Sequence, residues 1–234
     1  MKYYYDFHIH SDLSPCGDSD MTPNNIANMA LIKGLNFIAV TDHNSVNNSK
    51  AVEIVANKLG LNTLCGMEIT TREEIHLLSY FKNYEDAKVV SDLIYESLPN
   101  IRNKPEYFGE QNIYNEYDEI IGTVDKLLLS ASKYTLNEIS NLVFKYDGII
   151  VPAHVNKLNN GILGVLGFFP SDLKCNFIEI YKNNVNNDNK LLNESAYKVL
   201  YNSDAHYLKD ISEPINYIYI DKNKSIYDYL CFSM

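Results

Sequence analysis

The sequence predicts an α/β protein whose strands and helices close into a barrel. Strand-like and helix-like segments alternate along the chain, the pattern of βα units around a parallel sheet. The length of 234 residues suits an α/β barrel built as one domain. Candidate polar residues recur just after predicted strands, where the active sites of such barrels gather. The first strand is Tyr3–His10; a period of two places His8 and His10 on one face. Thr22 then caps a helix with Pro23 at its first position, and Ile26, Met29, Ala30 and Ile32 lead to a stop at Gly34. Asn36–Thr41 reads as a short buried strand and Val46–Leu59 as a helix ended by Gly60. Leu61–Ile69 and Ile75–Phe81 read as strands, and Tyr84–Leu98 as a helix. Thr135-Leu-Asn-Glu138 is a capping box that starts a helix running to Tyr146. Gly148–Ala153, Phe177–Tyr181, Val199–Asn202 and Tyr217–Ile220 complete the strands. No repeat or low-complexity linker divides the chain. Residues 1–234 therefore read as a single domain, with the polar, acidic stretch 99–133 as an insertion or excursion.

Composition narrows the function classes. Hydrophobic content of 46% and charged content of 21% are ordinary for a folded protein. A net charge of −10 disfavours a broad face for long nucleic acid, but allows a nucleotide or short oligonucleotide held by metals. Cys16, Cys65, Cys175 and Cys231 form no Cys-x-x-Cys pair, and the opening Met-Lys-Tyr-Tyr-Tyr-Asp lacks the apolar core of a signal peptide. Free thiols in the cytoplasm are expected. The apolar run Ile162–Phe169 is far shorter than the ~20 residues that span a bilayer, so no membrane partner is expected.

The six histidines all fall in places that suit a metal site. His8 and His10 lie in Asp6-Phe-His-Ile-His-Ser11, and His43 ends Val40-Thr-Asp-His43. His76 follows Gly66-Met-Glu68, His154 ends Pro152-Ala-His154, and His206 ends Ser203-Asp-Ala-His206. A lone histidine is more often structural than a ligand, and Asp42, Asp204 and Glu68 each have an ordinary reading at a turn or strand end. Those ordinary readings would all have to hold at once. Two imidazoles on one strand face are also costly to bury without a partner.

The ordered set of motifs resembles the PHP (polymerase and histidinol phosphatase) superfamily. The resemblance covers residues 6–82 and 148–220. It implies a distorted (β/α)7 TIM-like barrel, two or three divalent metals (Zn, Mn or Fe), and phosphoester hydrolysis by a metal-activated hydroxide. The implied metal ligands are His8, His10, His43, Glu68, His76, His154, Asp204 and His206, with Glu68 as the bridge between two ions. One position departs from the common pattern. Within Ser11-Asp-Leu-Ser-Pro-Cys-Gly-Asp-Ser-Asp-Met-Thr-Pro23, counting back from Thr22-Pro23 selects Asp18 as the acid ligand. Counting forward from His10 falls nearer Cys16. An oxygen ligand suits a mixed His/carboxylate shell, whereas a thiolate would favour zinc.

Chemistry follows from this ligand set. Metals ~3.5–4 Å apart lower the pKa of water and clamp a phosphoryl group. Glu68, Asp204 and His206 are the expected catalytic residues together with Asp42, which is expected to orient a ligand from behind. Lys157, three residues after His154, is the first candidate for a substrate cation and Arg72 the second. With only two arginines in the chain, an arginine-lined polyphosphate pocket is not expected. The expected partner is a small phosphorylated substrate, of nucleotide or short-oligonucleotide kind. Two other classes stay open: metal-assisted cleavage of an amide bond, and a non-catalytic metal-binding regulatory protein.

Overall fold

The computed structural model describes residues 1–181, 197–221 and 225–231. It is a mixed α/β fold of eleven strands and seven α-helices among those residues. Strand β1 (Lys2–Ile9) is followed by α1 (Pro23–Ile32), β2 (Phe37–Val40), α2 (Ser49–Lys58), β3 (Asn62–Thr63), β4 (Cys65–Thr70) and β5 (His76–Phe81). Helix α3 (Tyr84–Ser97), the short α4 (Pro105–Phe108) and the hairpin β6 (Asn112–Tyr114) and β7 (Ile120–Thr123) follow. The remainder is α5 (Leu136–Lys145), β8 (Ile149–Pro152), α6 (Ile162–Leu166), β9 (Phe177–Glu179), β10 (Lys198–Leu200), β11 (Tyr217–Tyr219) and α7 (Ile226–Cys231).

Local chemistry explains the boundaries. The Thr22 side chain accepts from Asn25 N and Pro23 opens α1; Gly34, at φ +74°, follows its end. Thr135 and Glu138 form the expected capping box at α5. Helix α2 starts later than expected because Asn44, Ser45 and Asn48 are buried and spent on hydrogen bonds outside a helix.

Strand polarity departs from the all-parallel expectation. β1 pairs with β2 and β2 with β3 in parallel, as βα units require. β4 and β5, however, are antiparallel because only residues 71–75 join them, a hairpin turn with no room for a crossover helix. β5–β8 and β1–β11 are antiparallel as well, and β9–β10 is parallel. Among the described residues the ladders form four sheets, β11-β1-β2-β3, β4-β5-β8, β9-β10 and β6-β7, and no closed barrel.

Single bridges join three of these sheets near the C-terminal strand ends. His43 pairs with Glu68, linking the end of β2 to β4. Ile9 pairs with Ala205, linking β1 to the residues after β10. Val155 N donates to Glu179 O at 2.9 Å, linking the end of β8 to β9. The strands around these links are buried on both faces. In β1, Tyr5, Phe7 and Ile9 point into the apolar core while His8 and His10, 0% exposed, point the other way. A sheet covered on both sides reads as a continuous buried run, which is what β1 and β2 show.

The stretch 99–133 carries α4 and the β6–β7 hairpin. Its hairpin is pinned to the chain after β1: Asn112 Nδ2 and Tyr114 OH donate to Asp12 Oδ2 at 2.8 and 2.6 Å. Asn48 Nδ2 donates to Asn112 O at 3.0 Å and to Ser11 Oγ at 2.9 Å. No helix is long and apolar enough to cross a membrane among the described residues.

Candidate metal centre

The links between sheets bring the predicted ligands together. Asn44 N donates to Glu68 O at 2.8 Å and Glu68 N to Asp42 O at 3.1 Å, so His43 and Glu68 stand side by side. His10 N donates to Ala205 O at 2.9 Å, which sets Asp204 and His206 against His8 and His10. His154 and Asp204 are held at positive φ, +29° and +55°, sparsely populated backbone that costs about 1–3 kcal/mol each and clusters at functional sites.

Glu68 sits at the centre. Its Oε1 lies 2.9 Å from His76 Nδ1, 3.1 Å from His154 Nε2 and 3.4 Å from His8 Nε2. Its Oε2 lies 3.1 Å from His43 Nδ1 and 3.4 Å from His10 Nε2. Asp204 Oδ1 lies 3.3 Å from both His8 Nε2 and His10 Nε2. Burial works against charge on Glu68, but the surrounding imidazoles, His76 and His8 foremost, hold its carboxyl well below the usual range. Asp204 is held well down in the same way, chiefly by His8 and His10. Burial and the neighbouring His206 and His43 push His10 well below an ordinary imidazole. His8, despite its burial, is raised well above it by Glu179, Glu68 and Asp204.

Hydrogen bonds behind the rings fix their tautomers. His8 Nδ1 faces both oxygens of Glu179 at 3.0 Å, which places a proton on Nδ1 and makes Nε2 the nitrogen that would ligate an ion once the ring is neutral. Ser14 Oγ donates to Asp42 Oδ1 at 2.7 Å, which leaves it to accept from His10 Nδ1 at 3.0 Å. His206 Nδ1 donates to the Asp204 carbonyl at 2.8 Å. His8 Nε2 and His10 Nε2 consequently face each other at 3.1 Å, an arrangement suited to a shared cation.

The donor set fits divalent metal ions. Three groups have ligand atoms within 4.8 Å of one another: His8, His10 and Asp204; His43, Glu68 and His76; and His10, His43 and His206. His43 Nδ1, Glu68 Oε2 and His154 Nδ1 are buried without a hydrogen-bond partner. His43 Nδ1 and Glu68 Oε2 are 3.1 Å apart but not aligned for a hydrogen bond, as expected of two atoms aimed at a third.

Not every predicted residue joins them. Asp18 belongs to none of the three groups; its Oδ1 accepts from Asp20 N at 3.0 Å within its own turn. Cys16, an exposed thiol, joins none of the groups either. Arg72 is exposed, absent from the cleft lining, and acts electrostatically on Glu138 at the start of α5. The turn of β4 to β5 carries it away from the cluster. Asp42 is buried and occupied: Oδ1 accepts from Ser11 N and Ser14 Oγ at 2.7 Å each, and Oδ2 from Ser11 Oγ at 2.6 Å. It positions the Ser14–His10 pair and touches nothing in the cleft. Lys157 does reach the site. Its Nζ donates to Asp204 Oδ2 at 2.5 Å, and burial is outweighed by that carboxylate, so its pKa is raised. Lys157, Tyr181, Asn202, Asp204, His206 and Asp210 line an open, mostly polar cleft of about 520 Å³.

Two acids were missed by the sequence reading. Glu179 holds His8 and also accepts from His154 N at 2.8 Å and Asn202 Nδ2 at 2.7 Å. Asp6 accepts from Ser203 N, Ser203 Oγ and Ser212 N at 3.0, 2.6 and 2.9 Å, and so fastens the Asp204–His206 segment to β1. Both are lone acids in otherwise apolar strands, a signal that a buried partner is needed.

The PHP domain model matches residues 6–155. This chain belongs to the PHP domain family. Two curated relatives match parts of it. The 5'-3' exoribonuclease of Haemophilus influenzae is 28% identical over 107 residues, 44% of this chain and 37% of the exoribonuclease. An uncharacterized protein of Methanocaldococcus jannaschii is 31% identical over 94 residues, 37% of this chain and 54% of that protein. The matches thus span only about a third to a half of those relatives. Among solved structures, the lesion-specific endonuclease Q of Pyrococcus furiosus superposes with a TM-score of 0.63 at 19% identity, over 89% of this chain and 49% of the endonuclease. A proposed metal-dependent phosphoesterase of Bifidobacterium adolescentis gives 0.59 at 16% identity, over 86% and 87% of the two chains. At these identities the likeness is one of fold. The family match and the three ligand groups both point to a site for divalent metal ions.

Proposed function

We propose that this PHP chain hydrolyses a phosphate ester of a small, nucleotide-like molecule, using two or three divalent ions of Zn, Mn or Fe kind. The observation that carries the reading is the cluster itself: six imidazoles and Asp204 around Glu68, opening on a polar cleft with one lysine at its rim. His8, His10, Glu68, His76, His43, His154, Asp204 and His206 would hold the ions. When bound, such ions lower the pKa of water and neutralise the oxygens of a phosphoryl group. Lys157 would release Asp204 in part and offer its ammonium to a phosphate oxygen as charge develops. Glu179 and Asp42 would keep His8 and His10 in their ligating tautomers.

A second reading is a nuclease that acts on nucleic acid. The exoribonuclease relative supports it, as does an endonuclease Q structure bound to a 27-mer duplex with an abasic lesion. The net charge of −10 favours the smaller substrate, since long nucleic acid is held by rows of lysine and arginine. Phosphate release from nucleotides, sugar phosphates and histidinol phosphate with Mn, Fe or Zn tests the proposal. Cleavage of a long duplex, or of an amide, with every small ester left intact would overturn it.

For the architecture, we propose a distorted (β/α)7 barrel acting as one domain, supported by the bridges at Ile9–Ala205 and His43–Glu68 and by the Val155–Glu179 hydrogen bond. The four free cysteines support a reducing, cytoplasmic setting.

A further inference from the structure

We propose that Asn48 is a positioning residue for the metal centre. Its side-chain amide, oriented by the β6–β7 hairpin, fixes the direction of a hydrogen-bond relay through Ser11, Asp42 and Ser14 that presents His10 Nε2 to an ion. The inference rests on the metal-centre reading and gives the 99–133 stretch a role in that site.

Counting protons gives the relay one direction. Asn48 Oδ1 accepts from Tyr114 N at 2.9 Å and its Nδ2 donates to Asn112 O at 3.0 Å. These backbone partners, on either side of Ile113, admit only one orientation of the amide. The second Nδ2 proton goes to Ser11 Oγ at 2.9 Å. Ser11 Oγ also accepts from Leu13 N at 3.2 Å, and its own proton goes to Asp42 Oδ2 at 2.6 Å. Ser14 Oγ gives its one proton to Asp42 Oδ1 at 2.7 Å and keeps two lone pairs. One takes His43 N at 3.1 Å and the other His10 Nδ1 at 3.0 Å. His10 is thereby a donor through Nδ1, and Nε2 is the nitrogen left for a cation.

The amide is diverted from its usual task. Asn48 stands at the N-cap of α2, where an asparagine side chain ordinarily accepts from the first turn of the helix, yet it makes no such bond. Asn48, Ser11, Ser14 and Asp42 are all buried, so a partner lost there leaves a polar group unpaired in a low dielectric. β6 is itself held against the loop after β1. Asn112 N donates to Asp12 O at 3.1 Å, and Asp12 Oδ2 accepts from Asn112 Nδ2 and Tyr114 OH. The strand that orients Asn48 is therefore anchored on the loop that carries Ser11 and Ser14.

Both serines converge on Asp42. Ser11 N, Ser11 Oγ and Ser14 Oγ, all within 2.7 Å, hold its two oxygens in place. Removing the Ser11 hydroxyl, or the amide that directs it, frees one of those oxygens to move. Ser14 can then turn its proton toward His10 Nδ1, and the ring answers as the other tautomer, protonated at Nε2 and unable to ligate. The consequence falls on the ion and not on the substrate, since none of the relay residues lines the open cleft.

NMR of the imidazole nitrogens in the metal-free full chain reads the His10 tautomer, with His10→Gln to assign its signals. Chelator-competition titration with zinc reads the ion. The wild type is expected to show His10 protonated at Nδ1. Asn48→Ala and Ser11→Ala are each expected to move those signals toward a mixture of tautomers and to weaken one ion about tenfold. The double variant is expected to lose no more than the worse single variant, because both act through one network. Asn48→Asp, equal in shape but without a donor, is expected to behave as Asn48→Ala. Tyr114→Phe removes a hydrogen bond of the same hairpin but leaves Tyr114 N on Asn48, and is expected to match the wild type in both readouts. Unchanged His10 signals in Asn48→Ala and Ser11→Ala overturn the proposal. So do losses that multiply in the double variant, or an equal loss in Tyr114→Phe. A wild type that binds no zinc overturns the metal centre, with the ring signals still deciding the relay.

Discussion

Replacing Glu68 by glutamine is the sharpest test of how the centre is held. The carboxylate is 1% exposed, so solvent screens its contacts little. It makes hydrogen bonds to His76 Nδ1 at 2.9 Å and His154 Nε2 at 3.1 Å through Oε1, and its Oε2 faces His43 and His10. Glutamine keeps the shape but loses the charge, and turns a donor amide toward atoms that already need an acceptor. Removing one partner of a buried charge pair costs about 3–5 kcal/mol, and in the loaded centre the Glu68 carboxylate would be that partner to the ions. At 1.4 kcal/mol per factor of ten, cation binding should weaken about a hundred- to several-thousand-fold. Chelator-competition titration of the wild type and Glu68→Gln measures this, with Glu73→Gln as the control. Glu73 Oε2 accepts from Leu136 N at 3.0 Å at the start of α5, a bond that glutamine preserves. Cation affinity in Glu68→Gln within a factor of a few of wild type, or an equal loss in Glu73→Gln, would refute the bridging role.

Other expectations follow from single contacts. Lys157→Ala should raise KM or lower kcat with the metal content unchanged, because its partner is one oxygen of Asp204 and the open cleft; metal loss in that variant would count against it. Glu179→Gln should weaken metal binding by about ten- to a hundredfold by loosening the His8 tautomer, and a shift of the His8 ring-nitrogen signals on NMR should accompany it. Removing metal should lower Tm: an ion present at a hundred times its Kd contributes about 2.7 kcal/mol, or roughly 5–10 °C for a chain of this size. An unchanged melting curve after chelation would contradict a preformed cation site.

Much of this was legible because metal chemistry is written in few residue types. All six histidines, Glu68 and Asp204 converge as their motifs suggested. Helix starts were legible too, since Thr22-Pro23 and Thr135–Glu138 act locally. What local pattern cannot carry is pairing. The five residues between β4 and β5 make a hairpin, and nothing in the alternation of apolar residues distinguishes it from a parallel neighbour. The same limit applies to Asp18 and Cys16, two residues apart, neither of which joins a ligand group in the structure. Gly161 and Gly164 allow close backbone packing, where a Cβ would lie 2.4 and 2.2 Å from the Lys157 and Leu158 carbonyl oxygens. Glu179 was hidden because the metal motifs were read alone, without the acids that aim them.

Elemental analysis of the purified chain, after reconstitution with Mn, Fe and Zn, tests the central claim most directly. The account predicts at least two divalent ions per chain in the wild type and fewer in Glu68→Gln. One ion or none in the wild type would contradict a cluster built around Glu68.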